Sequence, residues 1–459
     1  MSKILRELDL AESTFWLLDR ASSMNFAVYA DGTGSPNPES IRKGLNWIQE
    51  QHPMLRISIL HDMENGLKFS EVEPEKLPEV SFRNEDLINT ENSTTAFNQS
   101  VADAIMEPFE NECPLMRCGL LRSQGTFRLY LIFHHSIADG RSGLKLLEQL
   151  FQRISDQPID AKSSANVAPS EEGINSGFPA GLHERLQAPE TEPVMEPNPA
   201  RPISLFQKRK GPATARLEEV QIQAEQLKTL RRTGKEKGAT LHGVLGACLL
   251  EALANVDLKY SSDNSTRETE NADSSNRMAL ASPADMRSSV RSESPAEELA
   301  LYISLITTTV DVPVLQEHTA ASESFWELAR TISKDVHSQL KSNPLDFYRL
   351  LPQPARYLGK SDPGKAYGAL IQRLPQALAF SNAGVVGSLP AIHNQDWEVT
   401  NVTFTVHPSV SQVMFVAATT YEDRLTLTLH IDSARWPRGL MESFLDELQG
   451  ILGTVSAKG

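Results

Sequence analysis

Two spacings of apolar residues divide the chain into predicted helices and strands. In some segments apolar side chains recur every three to four residues, and in others they form short runs rich in β-branched and aromatic residues. The first pattern predicts helices at residues 10–19, from a turn at 36–39 to about 51, and at 94–106, 143–151, 224–237, 240–254, 322–340 and 439–452. The second predicts strands at residues 25–30, 55–60, 116–121, 127–133, 217–222, 278–282, 301–312, 398–405, 413–419 and 425–431. The strands at 116–121 and 127–133 are predicted to form a hairpin around Ser123-Gln124-Gly125.

The order of these elements predicts two αβ halves joined by a linker. Residues 161–212 are rich in Pro, Ser, Ala and Glu, a composition typical of a linker or crossover. We therefore expect an N-terminal half at residues 1–160 and a C-terminal half at 213–459. The polar tract at 261–276 predicts a surface loop. A length of 459 residues with 40% apolar content is enough for two cores.

Candidate chemistry is concentrated where the apolar run 129–133 ends. The chain continues there as His134-His135-Ser136-Ile137-Ala138-Asp139-Gly140. A neutral imidazole, with an ordinary pKa of about 6.5, takes and returns protons near neutral pH, so His135 is the candidate general base. Asp139 is followed by Gly140, which can adopt a positive φ. This pair suits a tight turn that folds the carboxylate beneath the loop.

Asp139 is predicted to organise the loop and not to react. A buried carboxylate without a partner costs several kcal/mol or takes up a proton, so Asp139 needs a cation. The candidate partner is Arg287 in Pro283-Ala284-Asp285-Met286-Arg287. Ser142 is predicted to cap the following helix. His134 is predicted to be packed and hydrogen-bonded behind the base.

The same residues permit other interpretations. A single histidine on an apolar strand is more often a hydrogen-bonded core residue than a catalyst, and His407 is interpreted in this way. His135 and Asp139 have the spacing of a helical metal pair, but no further ligands follow at a recognisable spacing, so no metal site is predicted. Gly140-Arg141-Ser142-Gly143 is not the Gly-x-Ser-x-Gly elbow of a serine hydrolase.

Composition and charge disfavour several classes of protein. A formal net charge of −15 disfavours nucleic-acid binding, and the basic clusters at 208–210 and 231–237 are interpreted as solvated surface. The three cysteines are too scattered for a disulfide framework or a zinc site. The longest apolar windows fall short of the ~20 residues that span a bilayer, and residues 1–10 lack the features of a secretory signal. We therefore expect a cytoplasmic protein without a transmembrane segment.

The run from His134 to Gly140 matches in full the His-His-x-x-x-Asp-Gly signature of the condensation-domain superfamily of acyltransferases. The chain resembles the stand-alone branch of that superfamily, which includes polyketide-associated O-acyltransferases and alcohol O-acetyltransferases. Further segments resemble those of the family in the same order: His52-Pro53-Met54-Leu55-Arg56, Ala239 to Leu245, Ala281 to Arg287, and Phe380-Ser381-Asn382-Ala383-Gly384. The plant BAHD branch is not indicated, because its Asp-Phe-Gly-Trp-Gly motif is absent.

This resemblance implies a fold and a reaction. The fold would be α/β, with two chloramphenicol-acetyltransferase-like halves forming a V-shaped pseudo-dimer around a channel. The enzyme would move an acyl group from a coenzyme A or carrier-protein thioester to a hydroxyl of a natural-product or lipid acceptor, with His135 as base and Arg287 paired with Asp139. Ser381, Asn382 or N–H groups beside Gly384 would be candidate oxyanion donors; alternatively, Asn382 and Gly384 only form a turn.

The resemblance also implies the partners of the protein. The acyl thioester is a co-substrate, and no permanently bound cofactor is expected. No carrier domain is recognised in the chain, so a carrier protein would act in trans. The protein is expected to be a monomer. Two alternatives stay open: an amide-forming enzyme that uses an amine acceptor, and a carrier-binding protein of low activity.

Overall fold

Helices and strands follow one another in the predicted order, with additional elements between them. The computed structural model describes residues 3–62, 66–87, 92–109, 113–155, 178–186, 200–209, 211–264, 276–290, 298–313, 321–342, 344–387 and 396–457. Within these ranges the helices are α1 (Leu10–Ala21), α2 (Pro38–Gln51), α3 (Ser93–Met106), α4 (Gly140–Ile154), α5 (Leu182–Arg185), α6 (Ala224–Glu236), α7 (Leu241–Asp263), α8 (Glu323–Ser342), α9 (Asp346–Leu350), α10 (Ala355–Leu358), α11 (Pro363–Ile371) and α12 (Leu440–Ala457). The strands are β1 (Lys3–Glu7), β2 (Phe26–Gly34), β3 (Ile57–Asp62), β4 (Gly66–Glu71), β5 (Ser81–Asp86), β6 (Met116–Ser123), β7 (Thr126–Phe133), β8 (Ala215–Ile222), β9 (Arg277–Asp285), β10 (Ile303–Asp311), β11 (Ala377–Val385), β12 (Trp397–Val406), β13 (Gln412–Tyr421) and β14 (Arg424–Asp432).

The sheet that carries the candidate loop is assembled from both parts of the chain. Its order is β12-β2-β7-β6-β5. β6 and β7 form the predicted hairpin, with Gln124 and Gly125 at positive φ in its turn. β12 lies far along the chain and pairs antiparallel with β2, where Val406 is opposite Phe26. The predicted C-terminal half therefore completes the sheet of the N-terminal half.

The second large sheet separates the two cores. Its order is β10-β9-β11-β13-β14-β8, and a smaller three-stranded sheet has the order β1-β4-β3. One face of the second sheet packs with α6, α7, α8 and α12 in a core that includes Leu280 and Phe380. Its other face, which includes Ala281 and Ala379, belongs to the core of the first half. Side-chain alternation along each strand thus divides one sheet between two cores.

The first core also includes short helices from the second part of the chain. Tyr348, Leu358 and Tyr367, which lie on α9, α10 and α11, are buried in that core. Helix α11 packs closely against α1, because a Cβ on Gly368 would lie 2.7 Å from the Cβ of Ala21. Helix α11 and β12 thus bring residues of the predicted C-terminal half into contact with α1 and β2.

A buried charge network also joins the two halves. Arg128 of β7 is fully buried, and its Nε lies 2.6 Å from Asp31 Oδ1. Its Nη2 donates to Glu219 Oε1 of β8 at 2.8 Å, and the Tyr29 hydroxyl donates to the same oxygen at 2.7 Å. Because each buried charge has an opposite partner, the network avoids the cost of an isolated buried ion.

Helix α7 is longer than its apolar pattern predicts. It runs from Leu241 to Asp263, so the start of the predicted loop at 261–276 is helical, while residues 265–275 lie outside the described residues. By length and composition this helix is apolar enough to cross a membrane, with a mean hydropathy of 1.4 over an 18-residue window. That window is 83% buried inside the fold, as in the core helix of a globular domain.

Residues 178–186 of the predicted linker pack against the first half. Residues 178–186 include α5 and lie across the N-terminus of α1, where the Pro179 carbonyl accepts from Arg6 Nε at 2.8 Å. Leu182 and Leu186 are buried in the first core. Residues 161–177 and 187–199 of the predicted linker lie outside the described residues. The crossover thus contributes to the core of the first half.

Gly143 sits where α4 packs closely on the first sheet, and we expect Gly143→Ala to destabilise the protein. A Cβ at this position would lie 2.8 Å from Val28 Cγ1 and 2.9 Å from Phe26 Cε2. Overpacking of this kind costs about 1–3 kcal/mol. The matched control is Gly453→Ala in α12, where no atom lies within 4 Å of the new Cβ. That change should raise the free energy of unfolding by up to ~1 kcal/mol. Urea unfolding of both variants tests the expectation, and equal midpoints would contradict it.

Candidate active site

The candidate loop is a buried turn between β7 and α4. Residues 134–139 are all buried, and the Ile137 N–H donates to the His134 carbonyl at 3.1 Å. The His134 N–H donates to the Leu115 carbonyl at 3.1 Å, and Ser136 Oγ donates to the Glu12 carbonyl of α1 at 2.9 Å. The loop is therefore attached on one side to the segment before β6 and on the other to α1.

His135 is held as a neutral imidazole with a defined tautomer. Its side chain is 4% exposed, and Nδ1 lies 3.0 Å from the Ala138 carbonyl oxygen. Because a carbonyl oxygen only accepts, Nδ1 carries the proton and Nε2 carries the lone pair. Burial, the largest cause, lowers the pKa of His135 to about 4 although Asp139 acts in the opposite sense. At neutral pH the ring is thus an unprotonated base.

Asp139 holds the loop against the second half of the molecule. Its two carboxylate oxygens accept from the Arg287 guanidinium at 2.9 and 3.1 Å, so the predicted ion pair is present. Backbone N–H groups of Ser142 and Tyr302 donate to it at 2.9 and 2.8 Å. Burial favours the protonated form, but Arg287 and these N–H donors outweigh it and hold the pKa of Asp139 below its usual value. Asp139 therefore organises the loop as a fixed anion.

Arg287 is fixed by several groups besides Asp139. It follows β9 in a short turn, and its Nη1 lies 2.9 Å from Asp285 Oδ1. Its Nη2 donates to Ser142 Oγ at 2.6 Å, and the guanidinium carbon lies 4.6 Å from the Tyr302 ring centroid. Burial alone would lower the pKa of Arg287, but the two carboxylates raise it above its ordinary value. The cation therefore stays charged beside Asp139.

Two predictions about the start of α4 are wrong. Asp139, not Ser142, is the N-cap, because its side chain accepts the Ser142 N–H and the helix begins at Gly140. The carboxylate takes the capping position three residues earlier, and the Ser142 hydroxyl instead contacts Arg287 and donates to the Ala300 carbonyl at 2.8 Å. Gly140 does not adopt a positive φ. It is small because a Cβ there would lie 3.0 Å from the Phe404 ring.

His134 is buried beside His135 but contacts different groups. It is 3% exposed, and its Nδ1 accepts the Ser136 N–H at 3.2 Å. Its Nε2 lies 3.7 Å from Asp19 Oδ2. Burial lowers the pKa of His134 despite that carboxylate. His134 thus supports the turn, as predicted from its position behind the base.

The predicted residues on β11 have different orientations. Ala377 and Ala379 belong to the first core and Phe380 to the second, so alternation directs Ser381 towards the first half. Asn382 Oδ1 accepts the Gly384 N–H at 2.9 Å, and Gly384 has a φ of +76°. This geometry matches the turn interpretation of Asn382 and Gly384. Ser381 is left as the candidate donor that faces the loop side of the sheet.

Two aromatic rings contact His135, and neither contact was predicted from the sequence. The Phe15 ring stacks on the imidazole with a centroid distance of 4.1 Å and an interplanar angle of 19°. The Phe26 ring is tilted by 54° at 4.9 Å. Both residues lie in elements that were predicted, but the sequence contains no signal for which apolar face meets the loop.

His407 is fully buried and contacts His430, with 3.3 Å between ring nitrogens.

Acid should destabilise the protein before carboxylates titrate. Among the described residues, burial lowers the pKa of six histidines, which are His52, His134, His135, His242, His407 and His430. In the unfolded chain each binds a proton near pH 6.5, whereas in the folded state His135 does so near 4 and His407 near 3. Stability is therefore lost as pH falls below about 6.5. Glu12, whose pKa is raised by burial and Asp9 to about 7, acts in the opposite sense between about 4.5 and 7.

Urea midpoints at pH 7.5, 6.5, 5.5 and 5 test this expectation. The midpoint should fall between pH 6.5 and 5 because the unfolded chain takes up more protons than the folded protein. In His407→Gln one such group is removed, so the decrease should be smaller. Equal midpoints across this range would contradict the assignment of neutral buried histidines.

The chain is similar to a known family model and to several solved structures. The condensation-domain family model matches residues 15–163, which include the candidate loop. Polyketide synthase associated protein 5 from Mycobacterium tuberculosis has a similar structure, with a TM-score of 0.59, 16% identity and 100% coverage of both chains. TRI3 trichothecene 15-O-acetyltransferase from Fusarium sporotrichioides has a TM-score of 0.68 and 12% identity over 98% of this chain and 95% of its own.

A third similar structure is the first condensation domain of the calcium-dependent antibiotic synthetase. Its TM-score is 0.64, with 14% identity over 100% of this chain and 96% of that domain. No curated protein sequence matches the chain significantly. The family model and these structures confirm the predicted resemblance and the mixed α/β fold class.

Proposed function

We propose that this protein, which has the condensation-domain fold, is an acyltransferase. It moves an acyl group from a thioester of coenzyme A or a carrier protein to a hydroxyl of a small natural-product or lipid acceptor. The observation that carries the proposal is the state of His135, whose Nδ1 donates to Ala138 while burial keeps the ring neutral. Nε2 has no hydrogen-bond partner among the described residues. It is thus the nitrogen that accepts a substrate proton.

The reaction needs one base and no covalent intermediate on the protein. Nε2 of His135 takes the proton of the acceptor hydroxyl while the oxygen attacks the thioester carbonyl carbon. A C–O bond forms and the carbonyl electron pair moves to oxygen. Collapse of this intermediate breaks the C–S bond, and Nε2–H returns the proton to the leaving thiolate. His135 is then neutral again, and the products are an ester and a free thiol.

Binding and electrostatics supply the other contributions. Alignment of two substrates at one base lowers the barrier by ~7–11 kcal/mol in well-ordered systems. The developing oxyanion requires donors, and Ser381 is the candidate that alternation directs towards the first half. The thioester is a co-substrate in this scheme, so no resident cofactor takes part. A carrier-bound donor would be delivered by a separate carrier protein.

A hydroxyl acceptor is favoured by one of the similar structures. TRI3 is named as a 15-O-acetyltransferase, so an enzyme of this fold acylates oxygen. The antibiotic-synthetase condensation domain shares the fold at similar scores. An amine acceptor and binding without turnover are therefore outcomes that the test below must distinguish.

The test combines a panel of acyl-coenzyme A donors with mixed alcohol and amine acceptors. Free thiol and product mass are measured together. Acceptor-dependent thiol release with formation of an ester is expected. Formation of an amide would show that the acceptor is an amine and not a hydroxyl. Failure with every coenzyme A donor and with acyl-loaded carrier proteins would overturn the proposal, and carrier binding without thioester consumption would identify a binding protein.

A further inference from the structure

The His135 ring has one hydrogen bond and one parallel ring contact. The bond from Nδ1 to Ala138 fixes one ring atom but leaves the ring free to tilt about the Nδ1···O direction. The Phe15 ring lies 4.1 Å away and within 19° of parallel, so it covers one face of the imidazole. Phe26 restricts the ring from another direction at 4.9 Å. Tilt of the imidazole is thus limited by aromatic packing.

Phe15 is itself held in place by the helix that carries it. Helix α1 begins at a capping box in which Asp9 accepts the Glu12 N–H at 2.9 Å and Glu12 Oε2 accepts the Asp9 N–H at 2.8 Å. Arg6 clamps the Glu12 carboxylate at 2.6 and 2.7 Å. Glu12 also receives the Ser136 hydroxyl through its carbonyl. Glu12 and Phe15 lie one turn apart, so the same helix face contacts the loop at two points.

Contacts from the crossover and from α11 also hold α1 in place. His183 of the crossover donates its N–H to Asp9 Oδ2 at 3.1 Å. Gly364 and Gly368 of α11 pack on the last turn of α1, since a Cβ on either would lie within 2.7 Å of it. Both ends of α1 are therefore supported independently of the Phe15 side chain. Shortening this side chain should leave the helix in position.

We propose that Phe15 is a positioning residue for His135, which holds the imidazole so that Nε2 is aimed at the acceptor proton. This inference rests on the proposed role of His135 as the base. Phe15 does not itself contact the reacting atoms. Its flat ring matches the flat imidazole, whereas an aliphatic side chain of similar volume would fill the space without fixing the plane. Small misplacements of a reacting group cost up to about a hundredfold in rate.

The expected effect of Phe15→Leu is a fall in kcat of about tenfold to a hundredfold, with little change in KM. The matched control is Phe325→Leu, since Phe325 of α8 is also buried but lies in the second core. Both variants lose a buried aromatic ring, so both should lower the urea midpoint. A fall in kcat confined to Phe15→Leu separates positioning from loss of stability.

A second measurement does not depend on activity. NMR titration of ¹³C-labelled histidine follows the His135 pKa, with His135→Gln used to assign the signal. In Phe15→Ala water gains access to the ring, so the pKa should rise from about 4 towards 6.5. The nearby titratable groups, Asp139 and His134, are unchanged in this variant, and Phe325→Ala should leave the pKa unaltered.

The two measurements separate failure of this inference from failure of the proposed function. If no donor and acceptor pair reacts, the titration still decides whether Phe15 controls the state of His135. If transfer occurs but Phe15→Leu keeps the kcat of Phe325→Leu, and Phe15→Ala keeps the wild-type His135 pKa, the positioning role is overturned while the acyltransferase proposal stands.

Discussion

Replacement of His135 by glutamine is expected to lower kcat for acyl transfer by about 10²–10⁴-fold and to leave the fold intact. A positioned general base contributes a factor of this size, and glutamine has no group that takes a proton at neutral pH. Its side-chain amide can still donate to the Ala138 carbonyl in place of Nδ1. The variant also avoids the desolvation that lowers the histidine pKa. The substitution should therefore lower kcat strongly while the protein stays folded.

The matched control is His52→Gln. His52 is also a buried histidine whose ring has one hydrogen bond among the described residues, because its Nε2 lies 2.8 Å from Gln149 Oε1. Burial lowers its pKa to about 4. It lies outside the candidate loop, so its replacement should leave kcat within about twofold of wild type if the loop alone supplies the base. Thiol release under saturating substrates gives the comparison. A His135→Gln enzyme that retained most of the rate would refute the assignment of His135 as base.

The parts of the site that were predictable are those that depend on local sequence or on charge. His135 and Asp139 lie in one contiguous signature after an apolar strand, and the turn between strand and helix brings them into one loop. Arg287 is 148 residues from Asp139, but a buried carboxylate requires a cation, and this argument identified a partner. Phe15 and Tyr302 had no comparable signal. An aromatic ring is satisfied by any apolar surface, and the contact from Tyr302 is a backbone N–H that every residue except proline possesses.

The fold shows the same division between local and non-local information. The β6–β7 hairpin followed from a short turn with glycine, whereas nothing along β12 indicates that it pairs with β2 in the other half. β5 was missed because most of its side chains are exposed, so it lacks an apolar face. Helix α7 continues past residue 254 because no glycine or proline interrupts it before Asp263. The buried positions of α7 end at Asp257, so its last residues extend beyond the part of the helix that packs in the second core.

Asp139 makes both local and long-range contacts, because its side chain caps α4, closes the loop and binds residues of the second half. Its carboxylate accepts from Ser142 in the first half and from Arg287 and Tyr302 in the second. Any change at this position therefore alters helix, loop and inter-half contacts together. Because the carboxylate does not face the reacting atoms in the proposed scheme, its main effect should be on stability.

Asp139→Ala is expected to lower the free energy of unfolding by about 3–5 kcal/mol. Removal of one member of a buried ion pair leaves the other charge without its partner, and this is the usual cost. Arg287 is 10% exposed and retains only Asp285 as a carboxylate partner among the described residues. The alanine variant also loses the cap of α4, which contributes about 1 kcal/mol of that cost. Asp139→Asn keeps an oxygen that can cap the helix, so it should lose less than Asp139→Ala. Urea unfolding measures both.

The control for this prediction is Arg141→Ala, which breaks an ion pair on the same segment but at the surface. Arg141 Nη1 lies 2.6 Å from Asp285 Oδ2, and the Arg141 side chain is 55% exposed. An exposed pair of this kind contributes less than about 1 kcal/mol. In the double variant Asp139→Ala with Arg287→Met the buried cation is absent, so the loss should be smaller than the sum of the two single losses. Strict additivity, or an Asp139→Ala loss no larger than that of Arg141→Ala, would show that the buried pair does not join the two halves.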